Sequence, residues 1–419
     1  GESIADPFEG LLFDASADNQ KIRATRYVAK TITDLDLNLQ DSAETYELGN
    51  QEINKKLRIG IFSSDFYNHA GMTLMLDFFK SFDRNSYEIL AFKIGDNIDD
   101  EITHAIKKWC TKYLDCTDMS VPEIQELAKQ KQLDIAIDRG SHTGSNKISL
   151  FAQRLARIQI SYLAYPSTTG APFIDYLVGD CVVTPETSFS SYTECIIQLP
   201  VCYQPNSKHI FPEPPEPKWP AELPQDRLVI ANFNTITKIR SNDLSMWAKL
   251  LNSHPTAVLW LISDSEIVRK NIKEYFQSKN IHPERIIFSA KVEWKIHQSR
   301  IQHADLCVDT RIYGSHTTAL DCLAAGVPII TIPGSGFQTR VCASILLHLG
   351  LSKLVCETED QAIDLASDLL NNDEKRARLK IEILRLMDKK EIEKRSKVYW
   401  NYLFNGFREA LRIKDTERK

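Results

Sequence analysis

The chain has 419 residues, which makes two domains the natural expectation, and its 43% apolar and 26% charged residues are those of a globular protein able to bury large cores. A net charge of -5 argues against general nucleic-acid binding, and no run is long and apolar enough to span a membrane. The nine cysteines are scattered, with no CxxC and no Cys/His ligand spacing, which speaks against a structural zinc or a disulfide framework and for reduced thiols in a cytoplasmic protein. There is no signal peptide and no initial Met, so the chain reads as a processed or trimmed piece of something longer.

Residues 19–33 carry apolar side chains at helical spacing. The polar stretch 34–50 reads as a linker, although Leu35, Leu37 and Leu39 alternate like a short strand. From residue 55 onward strands and helices alternate. Strands are expected at 57–62, 88–94, 133–138 and 158–164, and helices at 72–82, 99–109 and 121–131, with 176–178 and 195–199 as short edge strands. This is the pattern of an α/β domain with a parallel sheet covered by helices. Six prolines between 206 and 226 (Pro212, Pro214, Pro215, Pro217, Pro220 and Pro224) mark a linker and a domain boundary.

A second alternation follows, with strands at 228–234, 257–262, 285–288, 306–309 and 327–332. Helices are expected at 241–251, 265–279, 293–303, 316–326 and 338–350. Two polar-faced helices, 360–370 and 373–389, and an aromatic-rich helix over 392–411 close the chain. Two doubly wound lobes in series imply Rossmann-like units facing across a cleft. Neither lobe has GxGxxG after its first strand, and no GxxxxGK[ST] occurs.

The most informative stretch is 306–334, LCVDTRIYGSHTTALDCLAAGVPIITIPG. It reads as strand, loop, helix, strand, with Gly326 closing the helix and Asp321 in its first turn. The helix start offers unpaired N–H groups and a positive dipole end, and His316, Thr317 and Thr318 add side-chain donors, a combination that suits a diphosphate. The competing reading is that Thr317 or Thr318 only caps the helix. Other polar loops follow strands. Lys238 lies where it would meet a phosphate as a point charge, or it is a solvated lysine. His69 is the best general-base candidate, or a loop histidine bonded to backbone. His297 and Arg300 share a helix face, where the imidazole would stack on a base and the guanidinium would reach ribose or phosphate; a solvated face is the alternative. Asp321 would accept a ribose hydroxyl, or only complement the helix dipole. No paired carboxylates stand at a loop where they would hold a metal on a diphosphate, so Lys238 and the helix start would carry that electrostatic work.

Taken together, RIGIFSSDFYNHAG (58–71), IQISYLAYPSTTGAPFIDYLVGD (158–180), ANFNTITKI (231–239), HADLCVDT (303–310), HTTALDCLAAGVPIITIPG (316–334) and TRVCASIL (339–346) resemble the catalytic region of the O-GlcNAc transferases, glycosyltransferase family 41. The segments come in family order. The resemblance implies a GT-B fold, no metal, inversion at the anomeric carbon, and transfer of a sugar, GlcNAc foremost, from a UDP-sugar to Ser/Thr of a protein or peptide acceptor. By position, Lys238 resembles the lysine that stabilises the departing diphosphate. His316, Thr317 and Thr318 resemble the diphosphate-binding helix start, Asp321 the ribose ligand, His297 the uracil-stacking histidine and Arg300 its neighbour. His69 resembles the loop histidine proposed as base and lying near the sugar. Thr235 stands where animal members have glutamine, Trp294 where they have lysine (with Lys291 and Lys295 nearby), and Ala70 replaces a proline. Residues 1–54 resemble the helical connector that follows tetratricopeptide repeats in this family, and the short inter-lobe segment looks bacterial. The implied domains are 55–205 and 227–390, followed by a helix over 391–419. The alternatives are a cytosolic protein N-glycosyltransferase using UDP-glucose on Asn, a UDP-GlcNAc 2-epimerase, and a non-catalytic UDP-sugar-binding module.

Overall fold

The structure is a computed structural model that describes residues 5–35 and 56–417. The chain forms two compact units. The first comprises Gly1–Ile210 together with Glu393–Lys419, and the second comprises Phe211–Ile392. The final helix, expected as a segment of its own, counts with the first unit. Leu37, Leu39 and most of the linker expected over 34–50 lie outside the described residues.

The first unit holds a seven-stranded sheet: β1 (Leu57–Ser63), β2 (Tyr87–Lys93), β3 (Lys112–Asp115), β4 (Leu133–Asp138), β5 (Ala156–Ser161), β6 (Tyr176–Asp180) and β7 (Cys195–Leu199). The order is β3-β2-β1-β4-β5-β6-β7, and every pairing is parallel. The central strands β4 and β5 are buried along their whole length, and they bury Asp134, Asp138, Arg157, Gln159 and Ser161 among their apolar residues. Of the two short strands expected at the edge, β7 is at the edge and β6 is one strand in. The opposite edge, β3, went unrecognised in the sequence because KYLD lies on the exposed margin and carries a charge at each end. Helix α1 (Ala17–Asp34) packs Val28 into a core with Phe62, Phe92 and Phe151 of this unit. Helices α2 (Ala70–Ser81), α3 (Glu101–Trp109) and α4 (Val121–Lys131) are the crossovers between strands.

The second unit holds β8 (Val229–Asn232), β9 (Val258–Ile262), β10 (Ile286–Ser289), β11 (Leu306–Val308) and β12 (Ile329–Ile330), ordered β10-β9-β8-β11-β12 and parallel throughout. Its helices are α5 (Ser241–Ser253), α6 (Glu266–Gln277), α7 (Trp294–Ile301), α8 (Thr317–Ala324), α9 (Phe337–His348), α10 (Glu359–Asn371) and α11 (Asp373–Leu386). Helix α12 (Lys389–Glu417) follows. The strand expected over 327–332 is only two residues long. Pro328 has no N–H for a ladder, and Thr331 leaves β11 to pair with Val355. Among the described residues no helix is long and apolar enough to cross a membrane.

In each sheet the strand order reverses at one place, between β1 and β4 in the first unit and between β8 and β11 in the second. Connections leave such a point in opposite directions, so the loops at the strand carboxyl ends splay apart and open a crevice. The loop carrying His69 follows β1, and the loop carrying Lys238 follows β8. The loop carrying His316 follows β11.

Candidate active site

In the second unit, Asp309 follows β11 and is 3% exposed. Its Oδ1 accepts from the backbone N–H groups of Thr310 (2.8 Å) and Ser315 (2.7 Å), from Ser315 Oγ (2.7 Å) and from Asn234 Nδ2 (3.2 Å). Oδ2 accepts from Thr331 Oγ1 at 2.7 Å. One buried carboxylate therefore shapes the whole loop 310–316. Gly314 suits it, because a Cβ there would sit only 3.0 Å from Asp309 Oδ2 and the carboxylate would have to shift by a few tenths of an ångström.

The loop shape aims three groups at one another. Lys238 Nζ donates to Gly314 O at 3.2 Å and lies 3.9 Å from the centroid of the Tyr313 ring. The His316 ring stacks on the same tyrosine, with centroids 4.9 Å apart and an interplanar angle of 25°. Burial pushes the Lys238 amine down to about 7, against the opposing pull of Asp309. Burial, reinforced by the Lys238 charge, pushes His316 down to about 3, so its ring is neutral.

His316 Nε2 is 3.0 Å from the carbonyl of Gln338. A carbonyl only accepts, so this nitrogen carries the ring's proton. The sequence reading offered the imidazole as a third donor to an anion; in the structure its N–H is already committed to Gln338. His316 is also the N-cap of α8, with Thr317 and Thr318 as the first two helical residues. Neither threonine is the cap. Both are partly exposed, and their N–H groups have no intrahelical acceptor. Asp321 is the fifth residue of α8 and so falls outside the first turn where it was expected. The N-cap of α5 is Arg240, whose N–H donates to Asp243 Oδ2 at 2.8 Å.

On α7, Arg300 Nε donates to His297 Nδ1 at 3.0 Å. The histidine ring meets Phe233 edge-on at 5.2 Å. Arg300 is 8% exposed, with its guanidinium 6.0 Å from the Trp260 ring. The guanidinium is thus turned inward, where it orients the imidazole, instead of reaching out to ribose or phosphate. Thr235 is exposed at the start of the short 3-10 turn Ile236–Lys238.

In the first unit His69 caps α2, its Nδ1 accepting from Gly71 N–H at 3.3 Å. Two residues of the lysine cluster, Tyr313 and Asp309, escaped the sequence reading. Asp309 had one signal, an acidic residue ending an apolar strand. Tyr313 had none.

The model of glycosyl transferase family 41 matches residues 3–212 and 218–399. The chain belongs to glycosyltransferase family 41. It is 32% identical over 323 residues to the probable UDP-N-acetylglucosamine–peptide N-acetylglucosaminyltransferase SEC of Arabidopsis thaliana, covering 74% of this chain and 33% of that one. It is 24% identical over 425 residues to the UDP-N-acetylglucosamine–peptide N-acetylglucosaminyltransferase of Caenorhabditis elegans, covering 74% and 37%. The chain thus spans about a third of the length of the curated relatives it matches. A mutant of the Thermobaculum terrenum O-GlcNAc transferase shares the fold with a TM-score of 0.83 and 24% identity, over 97% of this chain and 78% of that one. This family-41 chain therefore has the GT-B fold class, built from two Rossmann-like parallel-sheet units.

Proposed function

We propose that this family-41 chain is an inverting, metal-independent transferase that moves GlcNAc from UDP-GlcNAc to Ser/Thr hydroxyls of protein acceptors in the cytoplasm. The observation that carries the reading is the cluster of Lys238, Tyr313, Gly314 and His316 at the switch point of the second sheet, beside the start of α8. A diphosphate there meets the N–H groups of Thr317 and Thr318, two hydroxyls and one ammonium. Asp321 lies within the same helix and takes the ribose. His297, oriented by Arg300, offers a ring face to uracil. The relatives named above are described as acting with UDP-N-acetylglucosamine on peptides, which supports this donor.

In the reaction the bond between the anomeric carbon and the β-phosphate oxygen breaks as the acceptor oxygen attacks the opposite face. The acceptor proton passes to a phosphate oxygen or to water, and UDP departs. Charge grows on the β-phosphate in the transition state, where Lys238 would meet it. Intact-mass analysis of acceptor proteins incubated with a panel of UDP-sugars tests the proposal. A gain of one N-acetylhexosamine mass on Ser/Thr is expected. A hexose on Asn would assign the N-glycosyltransferase chemistry instead, and UDP release to water alone would remove the protein acceptor.

UDP affinity measured by calorimetry should be the same with and without chelator, because the helix start and Lys238 carry the charge neutralisation; a strict Mg²⁺ or Mn²⁺ requirement for binding would sink the metal-independent reading. His297→Ala should weaken UDP by about 1–3 kcal/mol, the usual worth of a base stacked on a ring. Unchanged UDP affinity in that variant would reduce His297 to a surface histidine.

A further inference from the structure

Arg139 follows β4 at the switch point of the first sheet and is completely buried. Its Nη1 donates to Asp65 Oδ2 at 2.9 Å and to Ser63 Oγ at 3.1 Å. Among the described residues its Nε and Nη2 have no hydrogen-bond partner. The guanidinium lies directly under the start of α2, since a Cβ on Gly71 would come within 2.4 Å of Nη2. Asp65 is otherwise engaged through Oδ1, which accepts from Ser64 Oγ at 2.6 Å. Its second oxygen is thereby taken up by Arg139 as a charge-assisted bond.

His69 stands above this pair. Its Nδ1 is 3.9 Å from Asp65 Oδ2, beyond hydrogen-bond reach, but 3.3 Å from the Gly71 N–H that donates to it. A ring nitrogen that accepts carries no proton, so the neutral imidazole has its hydrogen on Nε2. The charged or titratable groups facing the ring are Asp65, Arg139 and Tyr67, whose ring centroid is 5.9 Å away. Burial and then the Arg139 charge lower the His69 pKa, while Asp65 works against them.

An aspartate beside a histidine can serve two opposite purposes. If the carboxylate takes Nδ1–H, the other nitrogen carries a lone pair and the ring is a general base. If the carboxylate is held elsewhere, the ring is available to cap the helix through Nδ1 and presents Nε2–H as a donor. We propose that Arg139 is the positioning residue that enforces the second arrangement, by holding Asp65 away from His69, so that the His69 ring presents Nε2–H as a hydrogen-bond donor and does not serve as a proton acceptor. The tautomer is independent of the function proposed above.

The test is the tautomer of His69 in the full chain labelled with ¹⁵N-histidine, with its signals assigned by their loss in His69→Gln. The wild type should show Nε2 protonated and Nδ1 bare at neutral pH. Arg139→Met, of similar length and no charge, should release Asp65, move the proton to Nδ1 and raise the His69 titration midpoint by about 1–3 units, the usual effect of an uncompensated carboxylate at this range. Arg139→Lys should keep the wild-type tautomer. A wild-type ring protonated on Nδ1 overturns the proposal, whether or not Arg139→Met folds. So does an Arg139→Met protein whose tautomer and midpoint match the wild type. Sugar transfer is measured in parallel. If no UDP-sugar is turned over while the tautomer behaves as stated, the enzymatic assignment fails and the positioning role of Arg139 stands.

Discussion

Lys238→Met is expected to lower single-turnover sugar transfer by roughly 10²–10³-fold, the cost of losing one preorganised electrostatic group. The dissociation constant for the UDP-sugar should stay within a few-fold at neutral pH. The ammonium gains most where negative charge develops, on the β-phosphate in the transition state, and an interaction of that kind appears in the rate more than in ground-state binding. The pH dependence gives a second readout. Burial holds the free amine at about 7. Above that pH a growing fraction of the empty site carries a neutral amine, and a diphosphate arriving there must draw a proton from solution. UDP binding to the wild type should therefore weaken, within that few-fold range, as pH rises from 7 toward 9, and Lys238→Met should lose that trend. Arginine is not expected to rescue activity, because its planar fork does not fit a point of contact set by the Tyr313 face and the Gly314 carbonyl. Near wild-type transfer by Lys238→Met would mean that this cluster is not a glycosyltransferase active site.

Asp77→Ala is expected to cost the first unit about 3–5 kcal/mol, as removal of a buried, multiply bonded carboxylate usually does. Asp77 is 2% exposed on α2. It accepts from Ser81 Oγ at 2.7 Å, from Ser396 Oγ at 2.5 Å and from Trp400 Nε1 at 2.8 Å, with His209 Nε2 at 3.6 Å. Burial alone would raise its pKa, but the nearby His209 ring and the bonds from Ser396, Ser81 and Trp400 outweigh it and hold the carboxyl far below its usual range. A depressed folded value fixes the sign. The contribution is whole above the unfolded carboxylate value of about 3.9 and is lost as pH falls below it. Thermal unfolding of wild type and variant should differ by on the order of 10 °C at pH 7. That gap should narrow from about pH 4 downward. An unchanged melting temperature at pH 7 would show that the aromatic contacts alone hold α12, among them Phe78 on Phe404 at 5.3 Å and Tyr87 on Phe404 at 4.3 Å.

Much of this architecture is legible in the sequence for a simple reason. A strand buried on both faces, such as β9 (VLWLI), is apolar along its length, and the loop after it changes composition abruptly. The signal fails where burial fails. β3 lies at an exposed margin, and β12 is cut short by Pro328. Site residues follow the same logic. Lys238, His69 and His316 are in loops that directly follow strands, so position along the chain reveals them. Tyr313, Asp309 and Arg139 act through partners that only the folded topology supplies: Tyr313 against Lys238, Asp309 against Thr331, and Arg139 against Asp65. Protonation states are the least legible of all. The Nε2–H of His316 depends on one carbonyl and the bare Nδ1 of His69 on one backbone N–H.

The division of the chain has a consequence for its synthesis. The first unit is interrupted after Ile210 and resumes only at Glu393, with the whole second unit inserted between. At a ribosomal pace of roughly 5–20 residues per second, the insertion takes on the order of 10–40 s to emerge. Through that interval Asp77 lacks Ser396 and Trp400, and Phe78 and Tyr87 lack Phe404. The nascent first unit thus leaves Phe78 of α2 and Tyr87 of β2 uncovered just when the next unit is being made, and chaperone occupancy on arrested chains should concentrate there. The same connectivity means that one protease cut in the proline-rich segment leaves both units on a single covalent thread through α12.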